Sequence, residues 1–169
     1  MDDLKESLNT ALKMEVSGYD LYMKAAKKTS NPLGRSTLEA IAAKELDHIK
    51  AIKDFAKKNL DKAIADINPA DKKNYIKPIM EKLEKSLDEN VKPDSDLNEA
   101  YKVALQLEKN SYDLYKSLKQ KSSGDKEKRF FDFLMQEENM HYELLSETLE
   151  YLDDPANWYR EKEQWLVEF

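Results

Sequence analysis

The 169-residue sequence contains no cysteine, which excludes disulfides, thiol nucleophiles and any iron–sulfur or rubredoxin-type centre carried by these residues. It has three glycines and five prolines, so turns are scarce and the elements between them are expected to be few and long. No run of about 20 apolar residues is present, so no membrane-spanning helix is expected. The opening Met1-Asp2-Asp3-Leu4-Lys5 lacks the basic and apolar regions of a signal peptide, which makes the cytoplasm the expected location. A net charge of -6 argues against a nucleic-acid partner. Histidine is scarce too: His48 and His141 are the only two.

What is present is 40% hydrophobic and 37% charged, a balance suited to one helical domain large enough to bury a core. Four segments repeat apolar residues at spacings of three and four, the signature of amphipathic helices. The first, about 2–29, carries Leu8, Leu12, Glu15, Tyr19, Tyr22 and Ala26 on one stripe. After Asn31-Pro32 the second, about 35–59, carries Leu38, Ile41, Glu45, His48, Ile52 and Phe55. The third, about 96–121, carries Tyr101, Leu105, Glu108, Tyr112, Tyr115 and Leu118. Beyond Ser122-Ser123-Gly124-Asp125 the fourth, about 126–152, carries Phe131, Leu134, Glu138, His141, Leu145 and Leu152. In each stripe a glutamate, or a glutamate and a histidine, stands where an apolar residue is expected. Residues 60–94, with Pro69, Pro78 and Pro93, read as a connection containing one shorter helix after Pro78.

The two histidines share a context. Glu45-Leu46-Asp47-His48 and Glu138-Asn139-Met140-His141 are both Glu-x-x-His, and residues three apart share a helix face, so each stretch presents a carboxylate beside an imidazole. That pair supplies two ligands for one metal ion. Glu15 and Glu108, Glu45 and Glu138, and His48 and His141 are each 93 residues apart. The repeat extends to Ala11-Leu12-Lys13-Met14-Glu15 with Tyr19-Asp20-Leu21-Tyr22, against Ala104-Leu105-Gln106-Leu107-Glu108 with Tyr112-Asp113-Leu114-Tyr115. A helical hairpin is therefore present twice. Chance placement of glutamates both 3 and 33 residues before each of two histidines has a probability of roughly one in ten thousand.

Heights along the bundle provide an independent check. The midpoint between Glu15 and the Glu45/His48 pair falls in the Asn31-Pro32 break, and its counterpart in the second half falls at Gly124. Each hairpin thus folds its glutamate against its own Glu-x-x-His, roughly 24 Å from the hairpin end at 1.5 Å per residue. The site is expected at mid-bundle.

On these residues the chain resembles the ferritin-like di-iron carboxylate proteins, in particular the rubrerythrin and bacterioferritin branch, over about residues 2–152. The resemblance implies an all-α, ferritin-like four-helix bundle of two hairpins over 1–152, joined by one long crossover at 60–94, with a short C-terminal tail at 153–169. It implies two metal ions held by Glu15, Glu45, His48, Glu108, Glu138 and His141, with Glu45 and Glu138 bridging. Four buried carboxylates repel one another, and two divalent ions cancel their charge. Oxygen ligands with two imidazoles suit iron or manganese, with zinc as a competitor. Tyr22 and Tyr115, seven residues beyond Glu15 and Glu108, are placed by the resemblance beside a ligand carboxylate, in a supporting or redox role; filling the core is the alternative. Asp20 and Asp113 rotate off that face and read as solvated charges.

The resemblance also implies a function: a di-iron oxidoreductase that reduces peroxide, or oxygen less readily, in oxidative-stress defence, with electrons from an external donor such as a rubredoxin-like protein. The alternatives are a ferroxidase that handles iron, and a structural or sensing bundle stapled by metal. The tail, with Trp158, Tyr159, Trp165, Leu166, Val167 and Phe169, is expected to pack on the bundle or on a second subunit. A homodimer is expected.

Overall fold

In a computed structural model the chain is described over residues 2–60, 76–90 and 97–167, with side chains in the last stretch described from 98 to 162. Six helices run α1 (Asp2–Lys28), α2 (Pro32–Asn59), α3 (Lys77–Asn90), α4 (Leu97–Lys121), α5 (Asp125–Asp153) and α6 (Pro155–Val167). No strand occurs among the described residues, and the four long helices form the all-α bundle that the resemblance implies.

The hairpin turns are local chemistry. α2 begins at Pro32, three residues before the expected start at 35, because proline fits the first helical position and Asn31 caps it. The Asn31 side chain accepts a hydrogen bond from the Gly34 amide at 3.0 Å. Arg35 then donates from Nε and Nη2 to the Thr29 carbonyl at 3.1 and 2.9 Å, satisfying a group left free where α1 ends. In the second hairpin the acidic Asp125 and Glu127 occupy the first turn of α5, where the helix dipole favours negative charge.

α1 pairs with α2 and α4 with α5, while α1 also lies beside α4 and α2 beside α5. Side-chain contacts give the directions. Tyr22 meets Glu108 and Tyr115 meets Glu15, so α1 and α4 are antiparallel. Phe55 stacks on Phe130 at 4.1 Å while His48 faces Glu137, so α2 and α5 are antiparallel as well. It follows that α2 and α4, on the diagonal, point the same way. The chain must therefore climb the length of the bundle between them, which is why a long crossover is needed.

That crossover does more than connect. The sequence marked 60–94 as a connection rather than a core element, yet its helix α3 buries Met80, Leu83 and Leu87 in the same cluster as Tyr22, Tyr101 and Leu107. It packs against α4 and α1. Lys24 and Lys28 of α1 reach Asp88 at 2.8 and 2.9 Å, and Lys28 also donates to the Leu87 carbonyl at 3.2 Å. The expectation underrated α3 because its apolar stripe is short and flanked by proline. Pro69 and Pro93 lie outside the described residues.

The core is two apolar layers. One, with Leu38, Ile41, Tyr101 and Leu145, includes α3; the other, with Leu8, Leu12, Ile52, Phe131 and Leu134, lies toward the second hairpin turn. The Tyr101 hydroxyl donates to the Gly34 carbonyl at 3.0 Å, tying α4 to the first turn of α2. At the other terminus α6 turns back on α5. The Asp154 side chain accepts from the Asn157 amide at 3.0 Å, Trp158 packs edge-on against Tyr151 at 5.4 Å, and Lys162 meets Glu147 at 3.3 Å. The expected contributions of Trp165, Leu166, Val167 and Phe169 lie outside the described side chains.

Candidate metal centre

Between the two apolar layers sits a polar layer made from the four long helices. α1 contributes Glu15, α2 contributes Glu45 and His48, α4 contributes Glu108, and α5 contributes Glu138 and His141. None of the six is more than 5% exposed. Each stands on its helix at the periodicity of the leucines and tyrosines above and below it, so the apolar stripe that builds the core also carries these polar side chains inward.

The six form two groups of four that share two members. Glu15, Glu45, His48 and Glu138 bring one potential ligand atom each to within 4.8 Å of one another, and so do Glu45, Glu108, Glu138 and His141. The atoms involved show how the sharing works. His48 Nδ1 lies 3.2 Å from Glu15 Oε2, 3.5 Å from Glu138 Oε1 and 3.8 Å from Glu45 Oε2. His141 Nδ1 lies 3.4 Å from Glu45 Oε1, 3.5 Å from Glu138 Oε2 and 3.7 Å from Glu108 Oε1. Each shared carboxylate therefore turns one oxygen to each group. The two imidazoles stack with centroids 5.2 Å apart.

The donor set suits two cations. Ligand atoms about 2.1 Å from one ion sit roughly 3–4 Å from each other, the spacing found around both Nδ1 atoms. Glu45 Oε1, Glu108 Oε2, Glu138 Oε1 and His141 Nδ1 are buried with no hydrogen-bond partner, and orphaned polar atoms at this depth are rare unless a ligand satisfies them. The charges agree. Burial, with the Glu15 carboxylate adding to it, pushes Glu45 up to about 7. Burial and then the Glu138 charge push Glu108 well above the carboxylate range. For Glu138, burial and Glu45 push upward, but the neighbouring imidazoles of His141 and His48, and then Glu108, prevail and hold it below its ordinary value. Burial disfavours a charged His141, yet the adjacent carboxylates of Glu108, Glu138 and Glu45 raise it to about 12; burial is likewise overcome at His48 by Glu138, Glu15 and Glu45. The cluster holds protons where divalent ions would serve the same carboxylates better.

Two tyrosines complete the layer. Tyr22 of α1 donates to Glu108 of α4, and Tyr115 of α4 donates to Glu15 of α1. Each tyrosine thus serves the glutamate of the other hairpin, an exchange that sequence spacing alone did not reveal. Burial first, and the adjacent Glu108 or Glu15 charge second, raise both phenols well above their ordinary value, so they remain hydrogen-bond donors. Tyr19 and Tyr112 are half-buried, and Asp20 and Asp113 are exposed, as expected for charges rotated off the face. One neighbour escaped the sequence reading: Glu137 Oε2 lies 3.7 Å from His48 Nε2. Only the failure of the 93-residue repeat at that position, where the first half has Lys44, marks it.

Compared with known proteins, the chain is matched over residues 6–149 by the family model described as Rubrerythrin. No curated protein and no solved structure matches it.

Proposed function

The chain belongs to the rubrerythrin family, and from that premise we propose that it is a di-iron oxidoreductase that reduces peroxide, and oxygen less readily, with electrons from an external donor of rubredoxin type. The observation that carries the reading is the pair of four-residue groups sharing Glu45 and Glu138. Glu15, Glu45, Glu138 and His48 would hold one ion, and Glu45, Glu108, Glu138 and His141 the other. A ferrous pair held there would supply the two electrons needed to cleave the O–O bond of peroxide, which with two protons gives two waters.

The chain's own residues do the rest. Glu45 and Glu138, each turning one oxygen to each group, would hold both ions between them. The hydroxyls of Tyr22 and Tyr115 hold Glu108 and Glu15 in orientation by donating to them. Apolar layers on both sides keep bulk water from the charged cluster, which strengthens every interaction within it. Because no cysteine occurs among the 169 residues, these residues carry no thiolate-bound redox centre, and the electrons that restore the ferrous pair come from another centre. A reducing cytoplasm fits that need, and no described helix is long and apolar enough to cross a membrane. A homodimer is part of the proposal: Phe133, Met140 and Leu144 follow one another at spacings of seven and four along α5 and are 45%, 51% and 46% exposed.

The test begins with metal. Anaerobic loading with ferrous iron should give close to two irons per chain, and clearly fewer in His141→Ala. Stopped-flow mixing of the loaded protein should then show faster oxidation by peroxide than by air-saturated buffer. Oxidation no faster with peroxide would sink the peroxidase reading and leave iron handling as the better one.

A further inference from the structure

The 93-residue repeat makes the two halves of the centre near copies in ligands and supporting tyrosines, but it fails at the residue just before each Glu-x-x-His. There the second half has Glu137 and the first half has Lys44. We propose that Glu137 is a positioning residue for His48, and that by serving one histidine alone it makes the two metal sites unequal, with the His48 site the tighter. This rests on the dimetal reading above.

Both histidines turn Nδ1 toward the carboxylates. An imidazole that gives Nδ1 to a cation carries its proton on Nε2, and a buried N–H requires an acceptor. His48 Nε2 is buried and has no hydrogen-bond partner. Oε2 of Glu137, brought across from α5 by the antiparallel packing of α2 and α5, lies 3.7 Å from it. That separation is too long for a hydrogen bond, but the Glu137 side chain is 23% exposed and has room to close the remaining fraction of an ångström by a small rotation. A carboxylate accepting from the far nitrogen fixes the ring and its tautomer and makes the near nitrogen a stronger donor to a cation.

His141 receives no such help from the matching position. Lys44 offers only an ammonium, which cannot accept a hydrogen bond; its side chain is 59% exposed and faces Asp47 on its own helix at 3.9 Å. The first ion therefore enters the site of His48, Glu15 and the shared carboxylates, and the second enters the site of His141 and Glu108.

Titration of the metal-free, full-length protein with cobalt(II) tests this, with binding followed by calorimetry and visible absorption and the imidazole N–H followed by paramagnetically shifted proton resonances. In the parent two unequal binding steps are expected, with a slowly exchanging imidazole N–H present after the first. Glu137→Ala should weaken the first step about 10- to 100-fold, leave the second nearly unchanged, and make that N–H exchange rapidly. Glu137→Gln, which keeps the packing and an acceptor oxygen, should restore slow exchange and part of the affinity. Lys44→Glu in the parent should tighten the second step and bring the two together. A first step and an N–H resonance unaltered in Glu137→Ala would overturn the proposal, and so would an equal weakening of both steps, which marks a general structural defect. A parent that binds no cobalt would remove the dimetal reading itself, and this proposal with it.

Discussion

The hydroxyls of Tyr22 and Tyr115 donate to carboxylates of the opposite hairpin within a fully buried layer. Removing one leaves a buried carboxylate oxygen unserved, and a lost hydrogen bond to such a group costs about 1.5–3 kcal/mol. Tyr22→Phe and Tyr115→Phe should each lower metal-free stability by about that much in urea unfolding, while Tyr19→Phe, on a half-buried ring, should cost less. The protonation states lead to a second expectation. Glu45, raised from 4.5 to about 7, keeps in the fold a proton that the unfolded chain has released. Its contribution is complete below about pH 4.5 and is lost as pH rises through about 7. His141, raised from 6.5 to about 12, acts in the same direction at higher pH, as do Glu108 and His48; Glu138, lowered, opposes them only in acid. The metal-free protein should therefore melt at progressively lower temperature from pH 5 to pH 9. A flat or rising profile would contradict this charge assignment.

Among the elements, α3 is the one whose role changed between sequence and structure. Its Leu87 is fully buried, and truncating such a leucine costs about 2–5 kcal/mol. Leu87→Ala should show that loss in chemical denaturation yet still take up two irons per chain, because α3 contributes no ligand. Loss of metal with intact helicity would mean that α3 positions α1 and α4 at the site and does more than cover them. The start of α2 is a smaller matter of the same kind: Asn31→Ala removes the bond to the Gly34 amide and should cost about 1 kcal/mol.

At the scale of the whole molecule, the bundle encloses a layer of six buried ionisable side chains whose carboxylate charge two cations would neutralise. Metal binding displaces protons from the cluster, so affinity should rise with pH while metal-free stability falls. The difference in melting temperature between iron-loaded and metal-free protein should accordingly widen between pH 6 and pH 8. Equal melting curves at both pH values would show that the cluster does not exchange protons for metal. The outer face of α5 gives a further expectation. If Phe133, Met140 and Leu144 lie in a subunit contact, Leu144→Glu should shift sedimentation from dimer to monomer at micromolar concentration, and a parent that already sediments as a monomer would rule that contact out.

The sequence by itself determined which residues meet and at what height. A 3.6-residue period puts Glu15, Glu45, His48, Glu108, Glu138 and His141 on the inward stripes, and one 93-residue offset with two turns at equal distances brings them level. Those are local and one-dimensional facts, and an amphipathic pattern encodes them directly. Periodicity names the buried face of a helix without naming the helix that covers it. The exchange of Tyr22 and Tyr115 between hairpins, the approach of Glu137 to His48 across α2 and α5, and the entry of α3 into the core all depend on which helices become neighbours and in which direction they run. Only the tertiary packing decided that, because long-range pairing is settled by how several apolar faces close together at once and by no single stretch of chain.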